Sequence, residues 1–335
     1  MVIKWKNFLN LSAKEKNVIS ISELSKKLLA ENSVTLFCHV RPDGDSIGSA
    51  LALSLALETL GIRAEVFCDD QIPSRFFFLN APKKIKKEFC GDYSALVAID
   101  CADVTRLGSF TNIFSQHKNT YNIDHHISND RYAKYSYVVN SASNCENVYD
   151  LICQMNVDVT QEIANLLAMG VMTDTGNFRH KNVTAQTLFT AGKLLEKGAD
   201  LNNIYYHMFS AQTKQRAKLF GVVMSKLRYF IDGRFAVATV TKQDLQNCEA
   251  QPDETEGFID FVMGVIGVEV GACVLEMQKN KYKVSLRSKS ADVNAVASTF
   301  GGGGHTLASG CQIAGEYEEV IDRIREAVNR ELPVL

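Results

Sequence analysis

The stretch Thr120-Tyr121-Asn122-Ile123-Asp124-His125-His126 is an apolar run that ends in three ionisable or metal-binding side chains. Such groups at the end of a buried strand are costly unless something pairs with them, so the pattern points to a cation. Two further runs repeat it. Val34-Thr35-Leu36-Phe37-Cys38 leads into His39-Val40-Arg41-Pro42-Asp43-Gly44-Asp45, and Ala95-Leu96-Val97-Ala98-Ile99 leads into Asp100. A fourth apolar segment, Gly170-Val171-Met172-Thr173, delivers Asp174.

Working outward, the first three runs and another over 63–68 read as strands that alternate with helical or loop segments. Apolar residues at helical spacing mark 19–31, with Ile21, Leu24, Leu28 and Leu29 on one side. Ser46 is the expected N-cap of a helix from Ile47 to Leu60 that Gly61 ends. This order predicts an α/β fold: an N-terminal, mostly parallel sheet flanked by helices, with ligands outside the carboxyl ends of the strands. Helices are expected over 145–156, 160–172 and 184–197, and a charged helical connector over about 200–230. The tail reads as strands from Arg234 to Thr241, Val268 to Met277 and Lys281 to Arg287, then a helix over 292–299. The run Gly301-Gly302-Gly303-Gly304-His305 follows, and a last helix covers 317–331. The expected division is a catalytic domain over 1–195, a helical linker over 196–230, and a smaller C-terminal α/β domain with a mixed sheet over 231–335.

The 335-residue length exceeds what a single hydrophobic core sustains, in keeping with two domains. With 46% hydrophobic and 22% charged residues, the composition is that of an ordinary soluble protein. A formal net charge of −2 argues against holding long nucleic acid by bulk electrostatics, and leaves room for a short anionic substrate at a local site. The basic run Lys83-Lys84-Ile85-Lys86-Lys87 reads as a solvated surface. Nine cysteines without a Cys-x-x-Cys pair form neither a disulfide framework nor a thiolate zinc site, and their use fits a reducing cytoplasm. Cys38, Cys68 and Cys273 sit in apolar stretches as small hydrophobes. Met1-Val2-Ile3-Lys4-Trp5-Lys6 lacks the apolar core of a signal peptide, and the uncharged run from Ser46 to Leu57 is too short to span a bilayer, so no membrane role is expected.

His39, Asp43, Asp45, Asp100, His125 and Asp174 offer imidazole and carboxylate without thiolate, a set that suits manganese, magnesium or iron. They exceed what one ion needs. Asp100 is the candidate to bridge two ions about 3.5–4 Å apart, the spacing of two-metal phosphoester hydrolysis. Pro42 and Gly44 make the intervening turn tight, so that Asp43 and Asp45 can face different ions. Singly, each piece has an ordinary explanation: a satisfied core histidine for His39, a helix N-cap for Asp100, a turn for Asp43-Gly44-Asp45 or Asp174-Thr175-Gly176. Their recurrence at four segment ends favours the metal. Gly302, Gly303 and Gly304 offer unshielded N–H groups for an anion nest, and with His305, Arg287 and Ser288 they suggest a substrate-binding surface. Arg106 and Arg179 lie near Asp100 and Asp174 in sequence and are candidates to neutralise a phosphate.

His39-x-x-Pro42-Asp43-Gly44-Asp45, Asp100 in Val-Ala-Ile-Asp, Asp124-His125-His126, and Asp174 in Gly-Val-Met-Thr-Asp-Thr-Gly resemble the four signature motifs of the DHH phosphoesterase superfamily. Gly302-Gly303-Gly304-His305-x-x-Ala308-x-Gly310 resembles the glycine-rich motif of its DHH-associated C-terminal domain. Within the superfamily the chain looks most like the bacterial oligoribonucleases that also dephosphorylate 3'-phosphoadenosine 5'-phosphate (pAp). The resemblance implies two manganese ions, one held by His39 and Asp43, the other by Asp45, His125 and Asp174, with Asp100 bridging. It implies that Asp124 fixes a histidine, that His126 faces the scissile phosphate, and that a water activated by the metals attacks. Short single-stranded RNA or pAp is the implied substrate; cyclic di-AMP phosphodiesterases share both domains and are the rival. A non-catalytic nucleotide sensor would be marked by a missing ligand, and none is missing. Cys101, next to Asp100, reads as a packing residue. Ser141-Ala142-Ser143-Asn144-Cys145-Glu146 stands where related chains carry a Ser/Thr-rich lead into a helix. Direction of cleavage is left open, and so is oligomeric state, a homodimer included.

Overall fold

Five apolar runs assemble a parallel sheet: β1 (Ser33–Phe37), β2 (Arg63–Phe67), β3 (Ala95–Ile99), β4 (Thr120–Asp124) and β5 (Tyr135–Val138), in the order β2-β1-β3-β4-β5. The structure is a computed structural model that describes residues 17–332. Register aligns the strand ends: Phe37 pairs with Phe67 and Ala98, and Ile99 with Ile123. His39, Asp100 and His125 therefore all leave the sheet at one edge. Both faces are covered, which is why the inner strands lack polar alternation. The helices of this unit are α1 (Ile21–Leu28), α2 (Gly44–Thr59), α3 (Thr111–Gln116), α4 (Asn144–Gln154), α5 (Gln161–Asp174), α6 (Ala185–Glu196) and α7 (Leu201–Tyr205). On one face Leu36, Val97 and Ile123 pack with Ile47, Leu51, Val148 and Leu167. On the other, Phe37, Phe67, Phe110 and Phe114 form an aromatic layer.

Small residues let α2, α4 and α5 close on one another. A Cβ on Gly48 would stand 2.4 Å from the Leu166 carbonyl oxygen, and one on Gly170 would meet Cys145 Sγ at 2.2 Å and Asp45 Oδ1 at 2.9 Å. The start of α2 and the end of α5 consequently share a corner, where Asp45 and Asp174 lie. The expected Ser46 cap is corrected: α2 starts three residues earlier, capped by Asp43, whose carboxylate accepts from the N–H groups of Asp45 (3.1 Å) and Ser46 (3.0 Å). The Ser46 hydroxyl instead accepts from the His39 N–H at 3.3 Å.

The chain divides into two units after Ala211. Within the stretch read as a connector, Leu201 to Ser210 packs in the first unit through Ile204, and α8 (Lys214–Met224) packs in the second through Leu219 and Val223. The second unit holds β6 (Arg228–Phe230), β7 (Phe235–Val240), α9 (Lys242–Cys248), α10 (Phe258–Gly264), β8 (Val270–Gln278), β9 (Lys281–Ser288), α11 (Val293–Ser298), β10 (Gly303–His305), β11 (Ala308–Ala314) and α12 (Tyr317–Glu331). Its sheet runs β10-β11-β9-β8-β7-β6 and is mixed, with β7 and β8 parallel and the other pairs antiparallel. Val296, Ile321 and Ile324 cover one face, and Leu245, Phe258 and Val262 the other.

The glycine run is corrected too. It makes an edge strand, and three of its N–H groups are already used: Gly301 donates to Ser298 O, Gly302 to Ala297 O, and Gly304 to Asn294 Oδ1 at 2.9 Å, which leaves too few for an anion nest. Glycine is needed there for close approach, since a Cβ on Gly302 would lie 2.3 Å from the Gly310 carbonyl oxygen. No helix among the described residues is long and apolar enough to cross a membrane. The first six residues, read above as lacking a leader core, lie outside the described residues.

Candidate metal centre

Two triads meet at the carboxyl edge of the parallel sheet, and Asp100 belongs to the first and borders the second. In one, His39 Nε2 lies 3.5 Å from Asp43 Oδ2 and 3.7 Å from Asp100 Oδ2. In the other, His125 Nε2 lies 3.5 Å from Asp174 Oδ2 and 3.9 Å from Asp45 Oδ2, and 3.4 Å from Asp100 Oδ1. These gaps are long for hydrogen bonds and leave room for a cation that the groups share. Asp100 turns off β3 with φ of 54°, a left-handed conformation that Asp tolerates better than most residues. Its Oδ1 is buried without a hydrogen-bond donor, an orphan that a cation would satisfy.

Both histidines are oriented through the other ring nitrogen. Nδ1 of His39 lies 2.8 Å from Val40 O, and Nδ1 of His125 lies 3.0 Å from Ser141 O. With the proton on Nδ1, each ring presents its Nε2 lone pair to the carboxylates, as a metal ligand must. Arg106 Nη2 also stands 2.9 Å from His39 Nδ1, and both are donors in that tautomer. The guanidinium is thus left at the mouth of the first triad with its charge available to an anion.

Asp45 is fully buried and held by the start of α4. Its Oδ1 accepts from the Ser143 hydroxyl at 2.7 Å and the Cys145 N–H at 2.9 Å, and its Oδ2 from the Asn144 N–H at 2.6 Å. A helix N-terminus favours such a carboxylate. In the Ser141–Glu146 stretch it is the Ser143 hydroxyl that reaches the site. Asp124 is likewise buried; its Oδ1 accepts from His126 Nδ1 at 2.8 Å and its Oδ2 from the Asn129 amide. Although His126 Nδ1 is only 3.6 Å from Asp100 Oδ1, that nitrogen is committed to Asp124, which argues against His126 as a ligand through it.

Packed against one another, both triad histidines and two of the carboxyls hold protons strongly. Burial opposes charge on His39, yet Asp100 and Asp43 outweigh it and push the ring up to about 10. Burial is overcome in the same way at His125, by Asp100 and Asp45, again to about 10. Burial and then the neighbouring carboxylates push Asp45 and Asp174 up. Asp124 raises His126 and, against its own burial, is itself lowered by that ring and by Asn129. Excess negative charge that can be relieved only by protons or by a cation is the electrostatic mark of a metal site.

All eight residues read from the motifs, His39, Asp43, Asp45, Asp100, Asp124, His125, His126 and Asp174, come together here with Arg106. Arg179 follows α5 on an exposed turn, its Nε donating to Gly176 O at 3.1 Å. In the second unit, Arg287 and His305 both pair with Ala308, from opposite sides of β11, so their side chains share one face of the sheet. Arg287 also lines a cavity of 470 Å³ with Lys283, Ser285 and Met277. Ser288 is buried, its hydroxyl accepting from the N–H groups of Ser290 and Ala291 in the turn before α11. Asn129 and the Ser143-to-Cys145 cradle were not read as site residues. The Ser143-x-x-Glu146 spacing was a legible capping signal that marks where α4 begins.

The DHH family, N-terminal domain, matches residues 33–171, and the DHHA1 domain matches residues 232–332. A bifunctional oligoribonuclease and PAP phosphatase NrnA from Thermus thermophilus is 33% identical over 309 residues, spanning 90% of this chain and 91% of that protein. The protein of the same name from Bacillus subtilis is 24% identical over 87% of this chain and 93% of its own length. Among solved structures, an exopolyphosphatase-related protein from Bacteroides fragilis matches with a TM-score of 0.80 at 26% identity, covering 92% of this chain and 95% of that one.

Proposed function

The chain belongs to the DHH family of phosphoesterases and carries a DHHA1 domain, and on that premise we propose that it hydrolyses short oligoribonucleotides to mononucleotides and dephosphorylates pAp to AMP. The observation that carries the reading is the pair of histidine–carboxylate triads with Asp100 between them. His39, Asp43 and Asp100 would hold one divalent cation and Asp45, His125 and Asp174 another, with manganese the proposed metal. Cations bound there supply Lewis acidity, neutralising phosphate charge and making water a better nucleophile.

The remaining roles fall to the chain itself. Arg106 would neutralise a non-bridging phosphate oxygen, and Arg179 is a second candidate for that task. His126, whose hold on its proton the hydrogen bond to Asp124 strengthens, would stabilise charge at the phosphate or give a proton to the departing oxygen. Arg287, Ser288 and His305 would contribute substrate binding from the second unit, with Gly302, Gly303 and Gly304 letting β10 close on β11. The net charge of −2 supports short substrates over long strands.

A product time course with manganese on end-labelled RNA, from di- to decanucleotides, tests this beside pAp, cyclic di-AMP and long single-stranded DNA. Rapid release of mononucleotides from the shortest RNAs, with pAp turnover, is the expected result. Preference for cyclic di-AMP, or for long DNA over dinucleotides, would overturn it.

A further inference from the structure

β2 also ends in acids, Asp69 and Asp70, at the same edge of the sheet as the metal centre, yet neither joins its triads. Both reach sideways. Asp69 Oδ1 accepts from the Ser109 hydroxyl at 2.6 Å and its Oδ2 from the Ser109 N–H at 3.0 Å. Asp70 Oδ2 accepts from the Arg41 N–H at 2.7 Å. Ser109 closes the turn of 3-10 helix from Val104 to Phe110, the segment that carries Arg106. At Gly108 (φ 63°) a Cβ would stand 2.3 Å from Asp69 Oδ2, so the carboxylate fits against bare backbone there. The Arg106 carbonyl in turn accepts from the Val40 N–H at 2.7 Å. Loops after β1, β2 and β3 are thereby tied together, and the free end of the knot is the Arg106 guanidinium beside His39.

We propose that Asp69 is a positioning residue for substrate binding: its paired hydrogen bonds to Ser109 fix the Val104–Phe110 turn so that Arg106 meets a substrate phosphate. Asp70 does the corresponding work for the backbone of the His39–Asp43 loop. A doubly bonded carboxylate fixes position and angle together, which is what a charged side chain aimed at one oxygen requires. Asp69 touches no reacting atom. This inference rests on the reading that Arg106 binds phosphate.

The test is a double-mutant cycle on pAp hydrolysis in manganese, with Asp69→Asn, Ser109→Ala, Arg106→Ala and the Asp69→Asn/Arg106→Ala pair. Asp69→Asn keeps size and shape, and Ser109→Ala removes one of the two bonds, so neither depends on the fold surviving a large deletion. Arg106→Ala should raise KM about tenfold, and Asp69→Asn should raise it several-fold with kcat within about twofold. In the Arg106→Ala background, Asp69→Asn should add nothing to KM. If the two effects add, or Asp69→Asn lowers kcat at constant KM, the positioning role is wrong. If Arg106→Ala itself leaves KM unchanged, it is the phosphate-binding reading of Arg106 that fails.

Discussion

Asp124 Oδ1 lies 2.8 Å from His126 Nδ1, and Asp124 is buried while His126 is about one-third exposed. The buried acid holds the ring through Nδ1 and leaves Nε2 outside that bond. His126→Ala should therefore lower kcat by about 10²- to 10⁴-fold, as loss of a proton-transfer group does, while cation stoichiometry by calorimetry stays the same. Loss of a bound cation in that variant would make His126 a ligand instead.

Asp100 is the carboxylate within reach of both histidines, His39 and His125. Asp100→Ala should abolish hydrolysis and weaken cation binding at both sites, whereas Asp174→Ala should weaken one site first. Titration of each variant with manganese, followed by calorimetry, separates the two outcomes. Substantial activity in Asp100→Ala would exclude a shared bridging role.

Proton linkage gives a pH test. Without cation, His39 and His125 stand at about 10 against about 6.5 unfolded, so their contribution to stability is complete below about 6.5 and is lost as pH rises toward 10. The raised carboxyls Asp45 and Asp174 act in the same direction, beginning at the unfolded carboxylate range. Stability of the metal-free protein from this cluster should fall steadily between about pH 6 and pH 8.5. Cation should then raise the melting temperature more at pH 8.5 than at pH 6, because it replaces protons on its ligands. Thermal melts at both pH values, with and without magnesium, check this; an increment larger at pH 6 would contradict it.

Gly48 faces the Leu166 carbonyl where α2 crosses α5. Backbone cannot swing aside as a side chain can, so Gly48→Ala should destabilise the protein by about 1–3 kcal/mol in denaturant melts. Gly192, whose Cβ would meet nothing within 4 Å, is the control: Gly192→Ala lies inside α6 and should be neutral or stabilising.

His305 is exposed on β10. His305→Ala should raise KM for pAp and for dinucleotides with little change in kcat, read from initial rates over a range of substrate concentrations. A fall in kcat at constant KM would remove it from binding.

Most of the parallel sheet and the residues of the two triads were legible because each belongs to a local pattern: an apolar segment that ends in an acid or histidine, or in the short turn that carries them. β5 and β6 were not, since Tyr135-Ser136-Tyr137-Val138 and Arg228-Tyr229-Phe230 are short and gain strand character only from their neighbours. The glycine run misled for a related reason. Free glycine N–H groups suggest an anion nest, but Asn294, Ser298 and Ala297, all on or beside α11, had already taken three of them.

By itself the sequence determined what leaves the sheet and in what order, because strand ends and side-chain identity are properties of the chain. Only the tertiary structure decided who holds whom. Asp45 is fixed by the start of α4 a hundred residues on, His125 by Ser141 O, Asp124 by Asn129, and the turn bearing Arg106 by Asp69. Those partners are set by parallel register and by glycine-sized gaps between helices, which bring backbone N–H groups and carboxylates together across distances that no motif spans.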